Sequence, residues 1–171
     1  MKKNILVVAL GFMSIGVFAQ SPLEPGRVQL NAGLGSSGWG VPFYFGIDCG
    51  IAKDFTLGGE ISFQSEGHCY YKDYNSYYDS SAIGLGVSGN YHFNSLLHIP
   101  GKFDCYAGSS LSYFIWTYDN YGSNPHPDNT SFGVGLQVGG RYFFSNTFGV
   151  NLEFGGGTVT SGVKAGVTFK L

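Results

Sequence analysis

The segment AIGLGVSGNYHF, residues 82–93, alternates apolar residues with glycine and small polar residues. Ile83, Leu85 and Val87 share one parity with two aromatic residues further along. The opposite parity is built mainly of glycine and small polar residues, such as Gly84, Gly86, Ser88 and Asn90. A period of two is the pattern of a β-strand with one apolar and one polar face. The segment therefore predicts such a strand.

The same alternation recurs along the chain, and helical periodicity is absent after residue 20. The predicted strands are 28–35, 41–51, 55–64, 82–93, 102–115, 131–144, 148–155 and 163–171. Tight turns at 52–54 and 145–147 contrast with long polar connections at 65–80 and 116–130. Eight short two-faced strands with turns of alternating length indicate an antiparallel all-β domain.

The composition indicates which face points outward. Charged residues make up 12% of the chain, about half the usual share. A soluble lipocalin-like barrel, which is the alternative, needs a charged outer face. Here the polar parity is too small and too uncharged for that role, so we expect it to face a narrow lumen and the apolar parity to face lipid. Since hydrocarbon cannot satisfy a free strand edge, the sheet must close. We predict an eight-stranded antiparallel up-and-down transmembrane β-barrel with a side-chain-filled lumen.

The N-terminus has the features of an export signal. Lys2 and Lys3 precede an apolar run over 5–18, and Val17-Phe18-Ala19 supplies small residues at a cleavage site. We expect residues 1–19 to be a cleaved signal peptide and residues 20–171 to form the barrel domain. Without Lys2 and Lys3 the chain has 7 basic and 11 acidic residues, a net charge near −4 that does not favour nucleic acid as a partner.

Five ionisable residues fall on the lumen parity: Asp48, Glu60, Arg141, Glu153 and Lys164. If the turn at 145–147 is tight, Arg141 lies opposite Asn151, and the next hairpin places Glu153 opposite Lys164. This predicts an Arg141–Glu153–Lys164 cluster, with Asp48 and Glu60 near each other and in need of a cation, which would be Arg141 or a residue across the barrel. A proton or ion path is one interpretation; a satisfied polar core is the one we favour, because buried charges must be paired.

The two long connections are rich in aromatic residues and predict a surface for binding. The candidate residues are Tyr70, Tyr71, Tyr74, Tyr77, Tyr78, Trp116, Tyr118 and Tyr121. Tyr, Ser, Gly and Asn together make adaptable contact surfaces. The alternative is that these side chains extend the aromatic belt at the membrane interface.

The sequence supports an enzymatic role less strongly than it supports a binding surface. The outer connections contain Ser and His residues that acyl transfer or hydrolysis at the outer leaflet would need, but no motif sets them in place. His126 and Asp128, with Asp119, suggest a metal site, although the proline-flanked run reads first as a rigid loop. We predict a non-enzymatic protein without catalytic residues, metal or cofactor.

With these features, and with the closing strand Gly166-Val167-Thr168-Phe169-Lys170-Leu171, the chain resembles the eight-stranded outer-membrane β-barrels of Gram-negative bacteria, of the OmpX-like and OmpA-transmembrane-like type. The Ala19-Gln20 junction resembles exported proteins of the Bacteroidetes group. The resemblance implies a monomer in the outer membrane, surrounded by lipid and lipopolysaccharide. It also implies that Phe169 and Leu171 serve as a signal to the barrel-assembly machinery. Barrels of this kind include adhesins, enzymes and proteins of unknown role; for this chain we expect a structural or adhesive role, in which a host or envelope ligand would bind at the loops. The alternatives are an outer-leaflet lipid-modifying enzyme and a narrow low-conductance pore.

Overall fold

A computed structural model describes residues 23–38, 40–71, 76–120 and 129–171 of the protein. The predicted signal peptide lies outside the described residues. The described part contains eight strands and one short helix: β1 (Val28–Ser37), β2 (Phe43–Ala52), β3 (Phe55–Tyr71), β4 (Ser76–His92), α1 (Asn94–Leu97), β5 (Phe103–Asn120), β6 (Asn129–Phe143), β7 (Phe148–Gly157) and β8 (Ser161–Lys170). No helix among these residues is long and apolar enough to span a membrane.

The strands form a closed barrel in which each strand pairs antiparallel with its neighbours in the chain. β1 and β8 join along the seam from Gln29 opposite Lys170 to Ser37 opposite Gly162. The closed eight-stranded up-and-down barrel predicted from the sequence is therefore confirmed. Through the middle of the barrel, closure gives each strand a hydrogen-bonding partner on both sides, as a hydrocarbon environment requires.

The apolar parity faces outward all round the barrel. Val87, at the middle of the β4 band, is 59% exposed, and Phe45 on β2 is 50% exposed. On β3 the band runs from Phe55 to Phe63, nine residues. This is roughly 27 Å along a tilted strand, and about 9–11 residues are needed to cross hydrocarbon.

Aromatic side chains close the band at the end that carries the short turns. One row joins Phe55, Tyr91 and Phe93 by edge contacts. A second row contains Phe103, Tyr142, Phe144 and Phe148. Aromatic belts of this kind mark the level of the lipid headgroups. We call this end the turn end and the opposite one the loop end.

At the loop end, the described residues of two segments expected to be loops are strand. Residues 65–71 and 76–80 continue β3 and β4, residues 116–120 and 129–130 continue β5 and β6, and β3 pairs with β4 as far as Tyr71 opposite Ser76. β4 also pairs with β5 as far as Tyr78 opposite Asn120. For these described residues the expectation of loops was wrong, because each of the strand ends pairs with at least one neighbouring strand, which a polar sequence does not prevent. Of the candidate binding residues, the structure places six on strands (Tyr70, Tyr71, Tyr77, Tyr78, Trp116 and Tyr118), whereas Tyr74 and Tyr121 lie outside the described residues.

The outward parity changes from apolar to polar between two adjacent rows of these hairpins. Phe63, Ile83 and Ile115 lie side by side in one row. The next outward row toward the loop end consists of Ser65, Ser81 and Thr117. The loop-end limit of the apolar band therefore lies between these rows. β3 continues six residues beyond Ser65, roughly 20 Å along the strand.

The turn end is covered by α1 and by the first described residues. Asn94 is fully buried; its Nδ2 donates to the Phe103 carbonyl at 2.5 Å and its Oδ1 accepts from the Cys105 amide at 3.2 Å. The backbone of Glu24 lies against the lumen face of Gly50, where any β-carbon would collide with it. The N-terminal residues thus pack into the turn-end mouth of the barrel.

Candidate functional site

A buried ion triad fills the turn-end half of the lumen. Arg141 donates from Nη2 to Asp48 Oδ2 at 2.6 Å and from Nη1 to Asp104 Oδ2 at 3.0 Å. All three side chains are at least nine-tenths buried. The Arg141 guanidinium also lies 4.3 Å from the centre of the Tyr106 ring. Buried charges are tolerated when they are paired and hydrogen-bonded, as they are here.

Amide and hydroxyl groups extend the triad around the barrel wall. Asp48 Oδ2 also accepts from Asn31 Nδ2 at 2.9 Å and from Gln29 Nε2 at 3.3 Å. Asn31 in turn accepts from the Thr168 hydroxyl at 2.8 Å, and Thr168 accepts from Asn151 Nδ2 at 3.1 Å. This chain of bonds connects β1, β2, β7 and β8 across the seam.

Thr56, His92 and Asp104, the last of which also belongs to the ion triad, are arranged in the order of a hydroxyl nucleophile, a base and an orienting carboxylate. His92 Nδ1 is 2.7 Å from Asp104 Oδ1, and His92 Nε2 is 3.0 Å from the Thr56 hydroxyl. Hydrolytic triads use this order. Thr56, however, is 2% exposed, and His92 and Asp104 are each 1% exposed. Since no substrate carbonyl can reach a hydroxyl buried in this way, the arrangement is a structural hydrogen-bond chain.

A second charged layer lies toward the loop end. Lys164 Nζ donates to both carboxylate oxygens of Glu60, at 2.7 and 2.8 Å, and lies 3.2 Å from Glu153 Oε1. Tyr106 donates its hydroxyl hydrogen to Glu153 Oε2 at 2.9 Å. These side chains are less buried than the triad, with Lys164 34% and Glu60 32% exposed. The layer is therefore accessible from the loop end.

The predicted Arg141–Glu153–Lys164 cluster is corrected by these contacts. Glu153 does lie opposite Lys164, and Arg141 does lie opposite Asn151, as the tight turn predicts. Arg141 nevertheless ion-pairs with Asp48 and Asp104 instead of Glu153 in the described structure. The reason is that the inclination of the strands brings the guanidinium to the turn-end layer, one level below the Glu153–Lys164 pair. Asp48 and Glu60, expected to be neighbours, take different cations: Asp48 pairs with Arg141, as the sequence predicted, whereas Glu60 pairs with Lys164.

Asp104 and His92 are members of this network that sequence reasoning missed. Asp104 lies opposite Arg141 in the β5–β6 hairpin. Its lumen parity between Phe103 and Cys105 is visible in the sequence and could have revealed it. His92 carries the same signal, lumen parity between Tyr91 and Phe93, but its partners Thr56 and Asp104 lie on two other strands, β3 and β5.

The loop-end half of the lumen is not filled. A cavity of about 130 Å³ lies above the Lys164 layer, and a deeper one of about 70 Å³ lies between the two charged layers. Both are lined by Tyr44, Glu60, Glu153 and Lys164, so they adjoin. The upper walls carry small side chains, including Ser62, Ser110, Ser112, Gly135 and Gly155.

Charge is distributed unevenly along the barrel axis. The loop-end hairpins, 65–81 and 116–130, contain five acidic residues and one lysine, a net charge of −4. The turn-end mouth has Arg27, Lys53, Lys102 and Lys170 against Glu24 and Asp54, a net charge of +2. A field of this direction attracts cations to the loop end and repels anions from it.

The remaining candidate residues lie on the surface or outside the described residues. Phe169 is 45% and Leu171 57% exposed, with Phe169 paired to Leu30 and Phe148 across its two strand interfaces. Their role in assembly stays a prediction. Among the residues that the structure describes, no three His, Cys, Asp or Glu side chains are grouped so that they could hold a metal ion. His126 and Asp128 lie outside that part of the chain.

The fold and its lipid-facing surface define an outer-membrane β-barrel. Residues 5–170 match the family model described as the outer membrane protein beta-barrel domain. The chain belongs to this family, which places the protein in the bacterial outer membrane. The comparison with curated protein sequences gives no match. The predicted Bacteroidetes type stays a prediction.

Solved outer-membrane barrels have the same fold. The N-terminal barrel of Pseudomonas aeruginosa OprF is 16% identical, with a TM-score of 0.58 over 86% of this chain and 98% of the other. Yersinia pestis Ail, the attachment invasion locus protein, is 10% identical, with a TM-score of 0.60 over 86% and 99%. Neisserial surface protein A is 19% identical, with a TM-score of 0.52 over 85% and 95%. A further structure of Ail contains the heparin analogue sucrose octasulfate. At these identities the likeness shows the fold.

Proposed function

We propose that this protein is a non-enzymatic outer-membrane barrel with a structural or adhesive role, and that its binding surface is the pair of loop-end hairpins. The observation that carries the proposal is the extension of β3, β4 and β5 beyond the apolar band. The polar row of Ser65, Ser81 and Thr117 marks the level at which the sheet leaves lipid, and β3 continues to Tyr71. A sheet held by main-chain hydrogen bonds presents its side chains more rigidly than a free loop, which lowers the entropy cost of binding.

The composition of the hairpins supports a neutral or cationic ligand. Tyr, Ser and Asn dominate both segments, and such surfaces suit carbohydrate or protein partners. Their net charge of −4 opposes a polyanion at close range. A glycan without sulfate groups, or a basic region of a host or envelope protein, therefore fits better than a heparin-like ligand of the kind bound to Ail.

Two alternatives have less support. An outer-leaflet lipid-modifying enzyme needs a reactive hydroxyl at the loop end, whereas the hydroxyl–imidazole–carboxylate chain of Thr56, His92 and Asp104 is buried at the turn end. Identical lipid A mass spectra from cells with and without the gene would agree with this. A conducting pore needs an open path past Arg141, where the side chains of the ion triad are packed and paired.

The proposed role in the outer membrane also implies how the protein is exported and inserted. We infer that residues 1–19 are removed during export, and that the barrel-assembly machinery reads the last strand with Phe169 and Leu171. In the membrane, the apolar band would contact phospholipid and lipopolysaccharide as a monomer.

The decisive experiment replaces Tyr70–Tyr78 by glycine and serine of equal length. Adhesion of cells producing this variant to host cells and to immobilised glycans is compared with that of the parent. The matched control replaces 158–160, a segment at the same end without aromatic residues. We expect adhesion to fall in the hairpin variant alone, with both barrels folded in the outer membrane. Adhesion equal to that of the parent would contradict the proposal.

A further inference from the structure

The open part of the lumen has the size of a small-molecule site. The upper cavity measures about 130 Å³ and adjoins the deeper cavity of about 70 Å³. An engineered protein cavity of about 150 Å³ holds benzene, so the upper cavity has room for roughly six non-hydrogen atoms. Its walls reach Ser37, Gln64 and Val159 toward the loop end, and its floor is the Lys164 layer.

The floor of the upper cavity has one more anion than cations. Glu60 and Glu153 share the single ammonium group of Lys164, which is the only Lys or Arg among the described residues that line this cavity. Both carboxylates are partly exposed to the lumen, 32% for Glu60 and 16% for Glu153. One further small cation would neutralise the layer, since carboxylates removed from bulk water are most stable when paired.

A second, independent feature lies in the deeper cavity. Arg141 lines it and is 94% buried, yet its Nε–H has no hydrogen-bond acceptor in the described structure. Both Nη groups are used by Asp48 and Asp104. A buried N–H donor without an acceptor lowers the stability of the folded protein, so an acceptor atom of a bound molecule would stabilise this group. Because two carboxylates already surround the guanidinium, a neutral oxygen such as a hydroxyl fits better than an anion.

One glycine leaves space in the upper cavity although neither its backbone conformation nor a close neighbouring atom requires glycine at that position. Gly155 faces the upper cavity, and a β-carbon placed there would come no closer than 3.7 Å to a neighbouring atom, an ordinary contact. Its backbone is not left-handed, so a side chain would be tolerated. Glycine weakens a strand and in such positions marks close approach of another group. A lumen that served only to fill space would carry a side chain at this position.

We propose that the loop-end half of the lumen binds a small ammonium ion that carries hydroxyl groups. The ammonium group pairs with Glu60 and Glu153 beside Lys164, and a hydroxyl oxygen approaches the deeper cavity of Arg141. The segments 65–81 and 116–130, which connect strands at the same end of the barrel, have a net charge of −4 by sequence, and such a charge raises the local concentration of cations. This site is independent of the binding surface proposed for the hairpins.

The test is an NMR titration of the full chain in detergent micelles with probes of matched size. Serinol is glycerol whose central hydroxyl is replaced by an ammonium group; glycerol and lactate supply a neutral and an anionic counterpart. We expect serinol to shift the Gly135 and Gly155 amide signals to saturation. Glycerol and lactate should bind with an affinity at least about tenfold lower. Isopropylamine, which lacks hydroxyls, and potassium chloride should also bind more weakly. Equal binding of glycerol, lactate or potassium would overturn the proposal, and equal binding of isopropylamine would overturn the role of the hydroxyl.

Two pairs of variants locate the site. Glu60→Gln removes the surplus charge, and Glu24→Gln removes a carboxylate at the turn end. Gly155→Leu fills the cavity, and Gly156→Leu adds the same side chain on the outward parity, where no atom lies within 4 Å of a β-carbon. We expect serinol affinity to fall about tenfold in Glu60→Gln and Gly155→Leu only. Retained affinity in Gly155→Leu, with a folded barrel, overturns the proposal even if Glu60→Gln does not fold.

Discussion

Arg141 on β6 and Asp48 on β2 meet across the lumen, with 2.6 Å between Nη2 and Oδ2. The two residues are 93 positions apart in sequence, and their strands lie four places apart in the closed order of eight. The pair therefore ties opposite walls of the barrel together. Asp104, on the neighbouring strand β5, takes the other Nη group, so one guanidinium sets the distance between three strands.

Replacing Arg141 by methionine is predicted to lower the free energy of unfolding by about 3–5 kcal/mol, because it leaves Asp48 and Asp104 buried without their cation. Urea unfolding of the barrel in lipid vesicles measures the change. Arg27→Met is the matched control: Arg27 is exposed, its Nη1 donates to the Leu171 carbonyl at 3.3 Å, and its replacement should change stability by less than about 1 kcal/mol.

A triple variant separates lost pairing from lost volume. Adding Asp48→Asn and Asp104→Asn to Arg141→Met removes the unpaired charges and should recover part of the stability. If Arg141→Met alone costs less than about 1 kcal/mol, the triad does not hold the barrel walls together.

Thr56→Val is predicted to cost about 1–3 kcal/mol, because it removes the hydroxyl that meets His92 Nε2 in a buried site. The same unfolding assay measures it. Thr117→Val, an isosteric change at an exposed position of β5, is the control and should stay within about 0.5 kcal/mol. A loss in Thr56→Val no larger than in the control would mean that the hydroxyl–imidazole–carboxylate chain contributes little to stability.

The sequence predicted what depends on neighbouring residues within one strand or one tight turn. Alternation at 82–93 identified both faces of β4, and the turn at 145–147 set Arg141 opposite Asn151. These features follow from the pleat and from turn geometry, which are local. The closure of β1 on β8 followed from the demand that no strand edge meet lipid.

Contacts across the lumen could be predicted only in part. Arg141 was expected as a cation for Asp48 and Glu60, but that it pairs with Asp48 and Asp104, and Lys164 with Glu60, depends on strand inclination and stagger, which are properties of the whole barrel. The ends of β3 and β5 were missed for a different reason: Tyr-rich polar segments have no apolar alternation, and their strand structure depends on pairing with β4.

Shortening the β3–β4 hairpin is predicted to leave the barrel intact. Glu66 and Ser80 are paired, so residues 67–79 can be replaced by Asn-Gly, which favours a two-residue turn. The apolar band ends at Phe63 and Ile83, below the cut, so the free energy of unfolding should change by no more than about 1 kcal/mol. Urea unfolding in vesicles tests this, and adhesion of the same variant should be lost. A variant that fails to insert would show that the hairpin belongs to the membrane-spanning part.

The position of the lipid boundary can be tested by one charge placed at two depths on β4. Val87 and Ser81 share the outward parity, but Val87 lies at the middle of the apolar band and Ser81 lies in the polar row above it. Val87→Arg should lower the free energy of unfolding by about 2–4 kcal/mol, and Ser81→Arg by about 0–1 kcal/mol, because the cost of a lipid-facing cation falls toward the interface. Folding titrations of both variants in phospholipid vesicles measure the two costs. Equal costs would mean that Ser81 is also embedded in hydrocarbon, and the hairpins would then protrude less than the change from Phe63 to Ser65 indicates.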